Sequence, residues 1–290
     1  MKGKLLSAFV MGLCMVLGMT VSAYALSVTT TGNGNTLANT ILDPSSGITI
    51  SNVVYNGANT PASGTFTGGA GSIGINSGVI MTSGDAAGAP GPNNSDSYSY
   101  QLSTGGNTIL DSLIPGYTTL DAITLDFDFT TPGTGNLFFN YVFASEEYNE
   151  YTNTQYNDVF GFFLDGINVA LIPGTTTPVS INNVNGGNPY GTNASNPQFY
   201  NNNDLNDGGP FFDIQYDGFT DVFQVAVYGL EAGTHHMMLG IADAGDQVLD
   251  SAVFIQAGSF SGTPKPVAEP SSLLLFGSSL AGLAFFRMKK

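Results

Sequence analysis

The chain has 290 residues, with 22 Asp plus Glu against six Lys plus Arg, and a formal net charge of −16. Such a field repels nucleic acid and anionic lipid and attracts divalent cations. The single cysteine, Cys14, lies in the opening apolar segment, so the rest of the chain has no disulfide framework, thiol nucleophile or cysteine zinc site.

In chain order, Lys2 and Lys4 give a positive start, and an apolar run follows from Leu5 to Val21. Ala23-Tyr24-Ala25 then places small residues at the −3 and −1 positions of a peptidase site. Charge, apolar run and A-x-A together predict a cleaved secretory signal over residues 1–25, cut after Ala25. Its partners would be the secretion machinery and signal peptidase.

The body, residues 26–263, is expected to be one all-β ectodomain. Lys and Arg occur only at positions 2, 4, 265, 287, 289 and 290, whereas 21 of the 22 acids (all but Glu269) fall between residues 26 and 264. No body carboxylate is then expected to pair with a basic side chain. Each must be solvated, accept from backbone N–H groups, or hold a cation, and Ca²⁺ is the abundant hard cation outside cells. Trp is absent, Phe and Tyr number 20 and 13, and Gly is plentiful at 38. That composition suits short strands joined by turns.

Expected strands are Ile48–Tyr55, Gly78–Thr82, Ala122–Phe129, Asn136–Phe143, Val159–Leu164, Asn168–Leu171, Val222–Val227, His235–Ala242 and Ser251–Gln256. In Ile123–Phe129 the odd positions are apolar, which buries one face and turns Asp126 and Asp128 outward. Turn pairs such as Pro132-Gly133, Asp165-Gly166 and Asp217-Gly218 separate the runs. The pattern predicts an antiparallel β-sandwich or jelly-roll-like fold with long loops, and Thr108–Leu113 is the only helix expected in the body. Ser83–Ser103 and the Asn-rich Ile181–Gly209 read as long loops of functional or mobile character.

Two acid clusters lie at strand ends. Glu146, Glu147 and Glu150 follow the strand ending near Phe143, and Asn157 and Asp158 open the next. Asp243, Asp246 and Asp250 surround a glycine turn. Like charges this close repel unless a cation joins them, so Glu146, Glu147, Asn157, Asp158, Asp243, Asp246 and Asp250 are the candidate metal ligands, with Ca²⁺ the expected cofactor. The other reading is a solvated acidic loop and a hairpin whose Asp residues cap its turn. The second cluster is not an EF-hand: position twelve from Asp243 is Phe254, not Glu. Glu146 and Glu150 form a carboxylate pair of the kind glycoside hydrolases use, but nothing in the sequence fixes their separation. His235 and His236 adjoin in a strand, point to opposite faces, and so do not share a metal. Asn93-Asn94-Ser95 and Asn193-Ala194-Ser195 match the N-x-S acceptor pattern.

The end of the chain has its own organisation: a linker over 264–270, then an apolar run Leu273–Phe286 closed by Arg287-Met288-Lys289-Lys290. Residues 271–290 are expected to form a short transmembrane helix with its basic end inside. The segment Ala268-Glu-Pro-Ser-Ser-Leu-Leu-Leu-Phe-Gly-Ser-Ser-Leu-Ala-Gly-Leu-Ala-Phe-Phe-Arg-Met-Lys-Lys290 resembles the PEP-CTERM sorting signal of Gram-negative bacteria, with Ala268 in place of the first Pro. The resemblance implies recognition by exosortase through Glu269, Pro270 and the basic Arg287, Lys289 and Lys290. It also implies transient inner-membrane anchoring, and surface or matrix placement alongside exopolysaccharide.

The body resembles the choice-of-anchor L family. The resemblance rests on Ser77-Gly-Val-Ile-Met-Thr-Ser-Gly-Asp85 with Gly91-Pro-Asn93, Phe143-Ala-Ser-Glu-Glu-Tyr148, Asn157-Asp-Val-Phe-Gly-Phe-Phe163, Ile241-Ala-Asp-Ala-Gly-Asp246 and Leu249-Asp-Ser-Ala-Val-Phe254. It implies a surface domain that occurs with alternative anchors, and no catalytic residues. The resulting expectation is a non-catalytic surface or matrix protein, adhesive and Ca²⁺-stabilised. One alternative is a carbohydrate-binding module using Tyr98, Tyr100, Tyr190 and Tyr200. Another is a secreted hydrolase using Glu146, Glu147 or Asp158.

Overall fold

A computed structural model describes residues 25–57 and 59–266. Ala23, the rest of the expected signal up to residue 24, and the expected tail from residue 267, with Glu269, Pro270, Arg287, Lys289 and Lys290, lie outside the described residues. Among the described residues no helix is long and apolar enough to cross a membrane.

The strands are β1 (Ser27–Thr30), β2 (Thr49–Tyr55), β3 (Ser63–Thr67), β4 (Ser77–Thr82), β5 (Thr119–Thr131), β6 (Gly135–Ser145), β7 (Val159–Leu164), β8 (Ile167–Asn168), β9 (Tyr200–Asn202), β10 (Gly218–Thr220), β11 (Phe223–Leu230), β12 (Gly233–Ala244) and β13 (Ser251–Gln256). They form two antiparallel sheets. One runs β1-β3-β4-β13-β6-β10-β9, with β11 also paired to β6; the other runs β2-β5-β12-β7-β8. The all-β sandwich expected from the alternation is the fold observed.

Between the sheets lies a core of aromatic rings. The odd residues of β5, from Ile123 to Phe129, are fully buried in it. Leu137, Phe139, Tyr141 and Phe143 of β6 meet Phe160 and Phe162 of β7 there, and Tyr141 sits edge-on to both at 4.9 and 5.2 Å. The even residues of β6 from Phe138 onward are buried too. Val142 and Ala144 join Phe66, Ile80, Tyr216, Phe219 and Phe254 in a second core on the outer face of the first sheet. A strand covered on both faces reads as a continuous apolar run, which is why β6 shows no alternation.

Several elements differ from expectation. β1, β3, β9 and β10 are short, Gly-, Ser-, Thr- or Asn-rich strands with weak intrinsic signal. Asn168–Leu171 is a strand only in Ile167–Asn168; Leu171 makes an isolated bridge to Pro178. A helix not expected from the sequence, α1 (Gly34–Ile41), precedes β2, and α2 covers Thr108–Asp111. The residues of α1 are mediocre helix formers. Burial of Leu37, Ala38 and Ile41, and the Asn33 cap, whose side chain accepts from the Thr36 N–H at 3.1 Å, override propensity. Asn33→Ala is expected to cost about 1 kcal/mol in chemical denaturation. The Ile181–Gly209 stretch is not structureless. It holds a 3₁₀ turn, Pro197–Phe199, and β9, and its Asn side chains stand in for backbone partners. Asn185 Oδ1 accepts from Gly187 and Ser195, and Asn196 donates to the Asn183 carbonyl.

The expectation that no body carboxylate meets a Lys or Arg is corrected. The linker folds back, and Lys265 Nζ lies 2.6 Å from Asp43 Oδ2. The Lys265 carbonyl also accepts from Asn140 Nδ2 at 3.2 Å. The two histidines diverge as expected: His235 meets Asp165 at 2.7 Å and His236 meets Asp128 at 3.0 Å.

Candidate cation-binding end of the sandwich

Strand register brings the acids together. Ser145, the last residue of β6, pairs with Gly218 of β10 on one side and with Ser251 of β13 on the other. One step outward along the same three strands stand Glu146, Asp217 and Asp250, and the Glu146 N–H donates to the Asp250 carbonyl at 3.1 Å. Residues directly opposite on antiparallel strands keep their Cβ atoms about 4.5–5.5 Å apart, so this is a row of three carboxylates. In the other sheet Ala242 of β12 pairs with Val159 of β7, and one step outward stand Asp243 and Asp158. Ser251 Oγ donates to Asp158 Oδ2 at 2.7 Å, tying the two sheets at this end. Glu147 follows Glu146 out of β6. The two clusters expected from the sequence are therefore one acidic end of one sandwich.

All six carboxylates, Glu146, Glu147, Asp158, Asp217, Asp243 and Asp250, are 0 or 1 % exposed. The only Lys or Arg among the described residues is Lys265, and it is engaged with Asp43. Hydrogen bonds satisfy some of them. Asp158 Oδ1 accepts from the Ala244 N–H at 2.8 Å, Asp250 accepts from the Tyr100 N–H, and Asp217 Oδ1 accepts from Asn93 Nδ2 at 2.6 Å. Others have no partner: both oxygens of Glu146, both of Asp243, Oε2 of Glu147 and Oδ2 of Asp217. An ionised carboxylate buried this way is among the costliest groups a fold can hold.

Burial, and then the neighbouring charges, push these groups up. Burial raises Glu146, followed by the charges of Asp217 and Asp250. For Glu147 burial is followed by Asp158, and for Asp243 likewise by Asp158. Asp158 and Asp217 are also raised, mainly by burial. Asp250 rises to about 7, again mainly by burial, against the backbone hydrogen bonds it accepts. Gly84 is required beside it, because a Cβ there would overlap the Asp250 carboxylate.

The remaining candidates divide. Asn157 is buried, and its Oδ1 accepts from the Asn182 N–H at 2.8 Å, which docks the Asn-rich loop beside Asp158. Asp246 is half-buried and caps its own turn by accepting from the Val248 N–H at 3.1 Å. Glu150 lies at the edge, near Asn206 and Asp204, and its charge bears on Glu147 and Asp217. Asp217, Asn93 and Asp121 were not singled out as ligands by sequence reasoning. In the sequence the Asp217-Gly218 pair carries only a turn signal. Asp121 is fully occupied, accepting from the Leu102 and Thr104 N–H groups and from Gln247 Nε2. Among the described residues no three Asp, Glu or His side chains already stand in ligating geometry. A cation here needs mixed donors, two carboxylates with amide or carbonyl oxygens, as Ca²⁺ commonly takes.

The burial of Glu146, Glu147 and Asp158 leaves no open face on which a sugar could meet them. The four tyrosines do not form one platform. Tyr190 and Tyr200 both flank Gly186, while Tyr100 lies beside Asp250 and Tyr98 beside Gly88. Asn93 is buried against Asp217 and Asn203, which closes it to glycan attachment.

No curated protein matches the chain, and no solved structure matches it. The family model described as Choice-of-anchor L domain matches residues 26–261. That description goes with a surface-associated, exported protein rather than with catalysis. The match spans nearly the whole sandwich and every carboxylate of its acidic end, and the chain belongs to the choice-of-anchor L domain family.

Proposed function

We propose that this protein is an exported, non-catalytic surface or matrix domain whose sandwich is fastened at one end by Ca²⁺. One observation carries the reading: Asp158 and Asp243 face each other across β7 and β12 with Glu147 nearby, buried, with the oxygens of Asp243 unpartnered and, among the described residues, no Lys or Arg to neutralise them. A bound cation removes that cost, and oxygen-only donors select a hard one. Asp158 and Asp243 supply the carboxylates, Glu147 adds its charge from beside them, and nearby carbonyls and Asn157 complete the oxygen set. A domain so fastened holds its shape outside the cell without disulfides and presents its loops to partners such as exopolysaccharide or other surface proteins. The direct test is thermal unfolding of the purified protein in Ca²⁺ and in chelator; equal unfolding temperatures would remove the cation from this reading.

Export and processing belong to the same reading. Among the described residues Leu26 is the first buried side chain and Ala25 is exposed, so a cut after Ala25 would leave Leu26 and its packing intact. Residue 26 is also where the family match starts. At the other end Lys265 is pinned to Asp43, so the PEP-like motif follows directly on the sandwich. Exosortase acting there would release or transfer the domain at its boundary. N-terminal sequencing of the exported protein is expected to begin at Leu26; a start at Met1 would overturn the cleavage.

A further inference from the structure

The row formed by Glu146, Asp217 and Asp250 is distinct from the Asp158–Asp243 pair, because it belongs to the other sheet and points into loops rather than across β7 and β12. Glu146 has two unpartnered oxygens and Asp217 has one, all buried. Of the surrounding charges, that of Asp217 weighs most on Glu146. Asp217 is also the centre of a knot of loops. Its carbonyl accepts from the Asn203 N–H at 2.8 Å, and its Oδ1 accepts from Asn93 Nδ2, which also donates to the Asn203 carbonyl. Asn203 in turn holds the loop to β10: Nδ2 donates to the Ile214 and Tyr216 carbonyls, and Oδ1 accepts from the Phe211 and Phe212 N–H groups. Gln215 Nε2 donates to Asn93 Oδ1 and to the Ser95 carbonyl. The chain around this knot is acidic: Asp96, Glu150 and Asp204 all bear on Asp217. With all of these groups ionised, their charges oppose the hydrogen bonds that hold the loops together.

We propose that Glu146 and Asp217 hold a second divalent cation, separate from the Asp158–Asp243 site, which staples the loops around residues 91–98 and 203–217 onto the end of β6. The proposal shares the oxygen-cation chemistry of the reading above but uses different residues, so either site can fail alone. The ion's ligands are the free oxygens of Glu146 and Asp217, and Asp250 adds its charge from the next strand. Loops 91–98 and 203–217 are thereby held more firmly when Ca²⁺ is present, and whatever surface they present is steadied by the ion.

The competing arrangement is a proton shared between Glu146 and Asp217, with no ion. Hydrogen exchange of the purified protein at pH 7.5, in Ca²⁺ and in chelator, separates the two. Ca²⁺ at 100 times its dissociation constant should slow exchange at 91–98 and 203–217 by about 100-fold if opening of these loops releases the ion. Asp217→Asn should abolish that protection while leaving the Ca²⁺ response of β7 and β12. Asp243→Asn should do the reverse. Glu146→Gln serves as a second variant should Asp217→Asn fold poorly, and it is expected to behave the same way. Loop protection unchanged by Ca²⁺ in the wild type, or retained in both Asp217→Asn and Glu146→Gln, would overturn the proposal. So would an Asp217→Asn chain more stable than the wild type in chelator and in Ca²⁺ alike, the mark of a shared proton. A lost β7 and β12 response with loop protection intact would contradict only the Asp158–Asp243 site.

Discussion

Ca²⁺ at 100 times its dissociation constant should stabilise the protein by about 2.7 kcal/mol for one site that binds only the folded chain. For a domain of this size that corresponds to a rise of roughly 5–10 °C in unfolding temperature. Two independent sites would roughly double it. The reason lies in the placement of charge. Six buried carboxylates converge on one end of the sandwich, and the single Lys or Arg among the described residues is held elsewhere by Asp43. Mg²⁺ is expected to substitute poorly, because it demands near-octahedral geometry and dehydrates reluctantly. Differential scanning calorimetry in Ca²⁺, Mg²⁺ and chelator checks all three statements, and identical curves would contradict them.

In chelator, stability should fall as pH rises from about 4 to about 7, opposite to the usual trend for carboxylates paired in the fold. Asp250 has an ordinary value of 3.8 and is raised to about 7 in the fold. Between those values the folded chain binds more protons than the unfolded one, so raising pH favours unfolding. The contribution is fully present below about 4 and lost by the time pH passes 7, at about 1.4 kcal/mol per pH unit for each such group while it titrates. Glu146, Glu147, Asp158, Asp217 and Asp243 are raised as well and act in the same direction. Asp43, Asp128 and Asp165 oppose them. Lys265 chiefly lowers Asp43, Asn52 and then His236 lower Asp128, and His235 lowers Asp165 against its burial. Asp128 and Asp165 are partly exposed, where pairing contributes little, which leaves the buried Asp43 alone against six raised groups. Saturating Ca²⁺ should reverse the slope, because the ion binds ionised carboxylates and protons compete with it. Denaturant midpoints at pH 4, 5.5 and 7 in both conditions check this; the same fall in Ca²⁺ and in chelator would contradict the cation.

The sandwich was legible where one face is buried. The odd positions of Ile123–Phe129 announced a half-buried strand, and β5 places all of them in the core. The strand Val159–Leu164 stood out as an unbroken apolar run, because both its faces are covered. What the sequence did not reveal is held by tertiary contacts. α1 forms because Leu37, Ala38 and Ile41 have a core to enter. β10 is three residues placed by pairing both with β9 and with the end of β6, more than 70 positions upstream. The acids at 146, 147, 158, 243 and 250 were visible as local charge runs. Their convergence was not, because it depends on the register of β6 with β13 and of β7 with β12. Asp217 stayed hidden for the same reason: an isolated Asp before a Gly looks like a turn until β10 sets it beside Glu146.

The central claim is that cations, not protons, neutralise the acidic end. It is tested most directly by elemental analysis of the exported protein, purified at pH 7.5 and dialysed against Ca²⁺-free buffer without chelator. The account expects calcium to be retained in stoichiometric amount, to be lost on chelation, and to be reduced in both Asp243→Asn and Asp217→Asn. Protein that retains no calcium and takes up none in an equilibrium titration would contradict it.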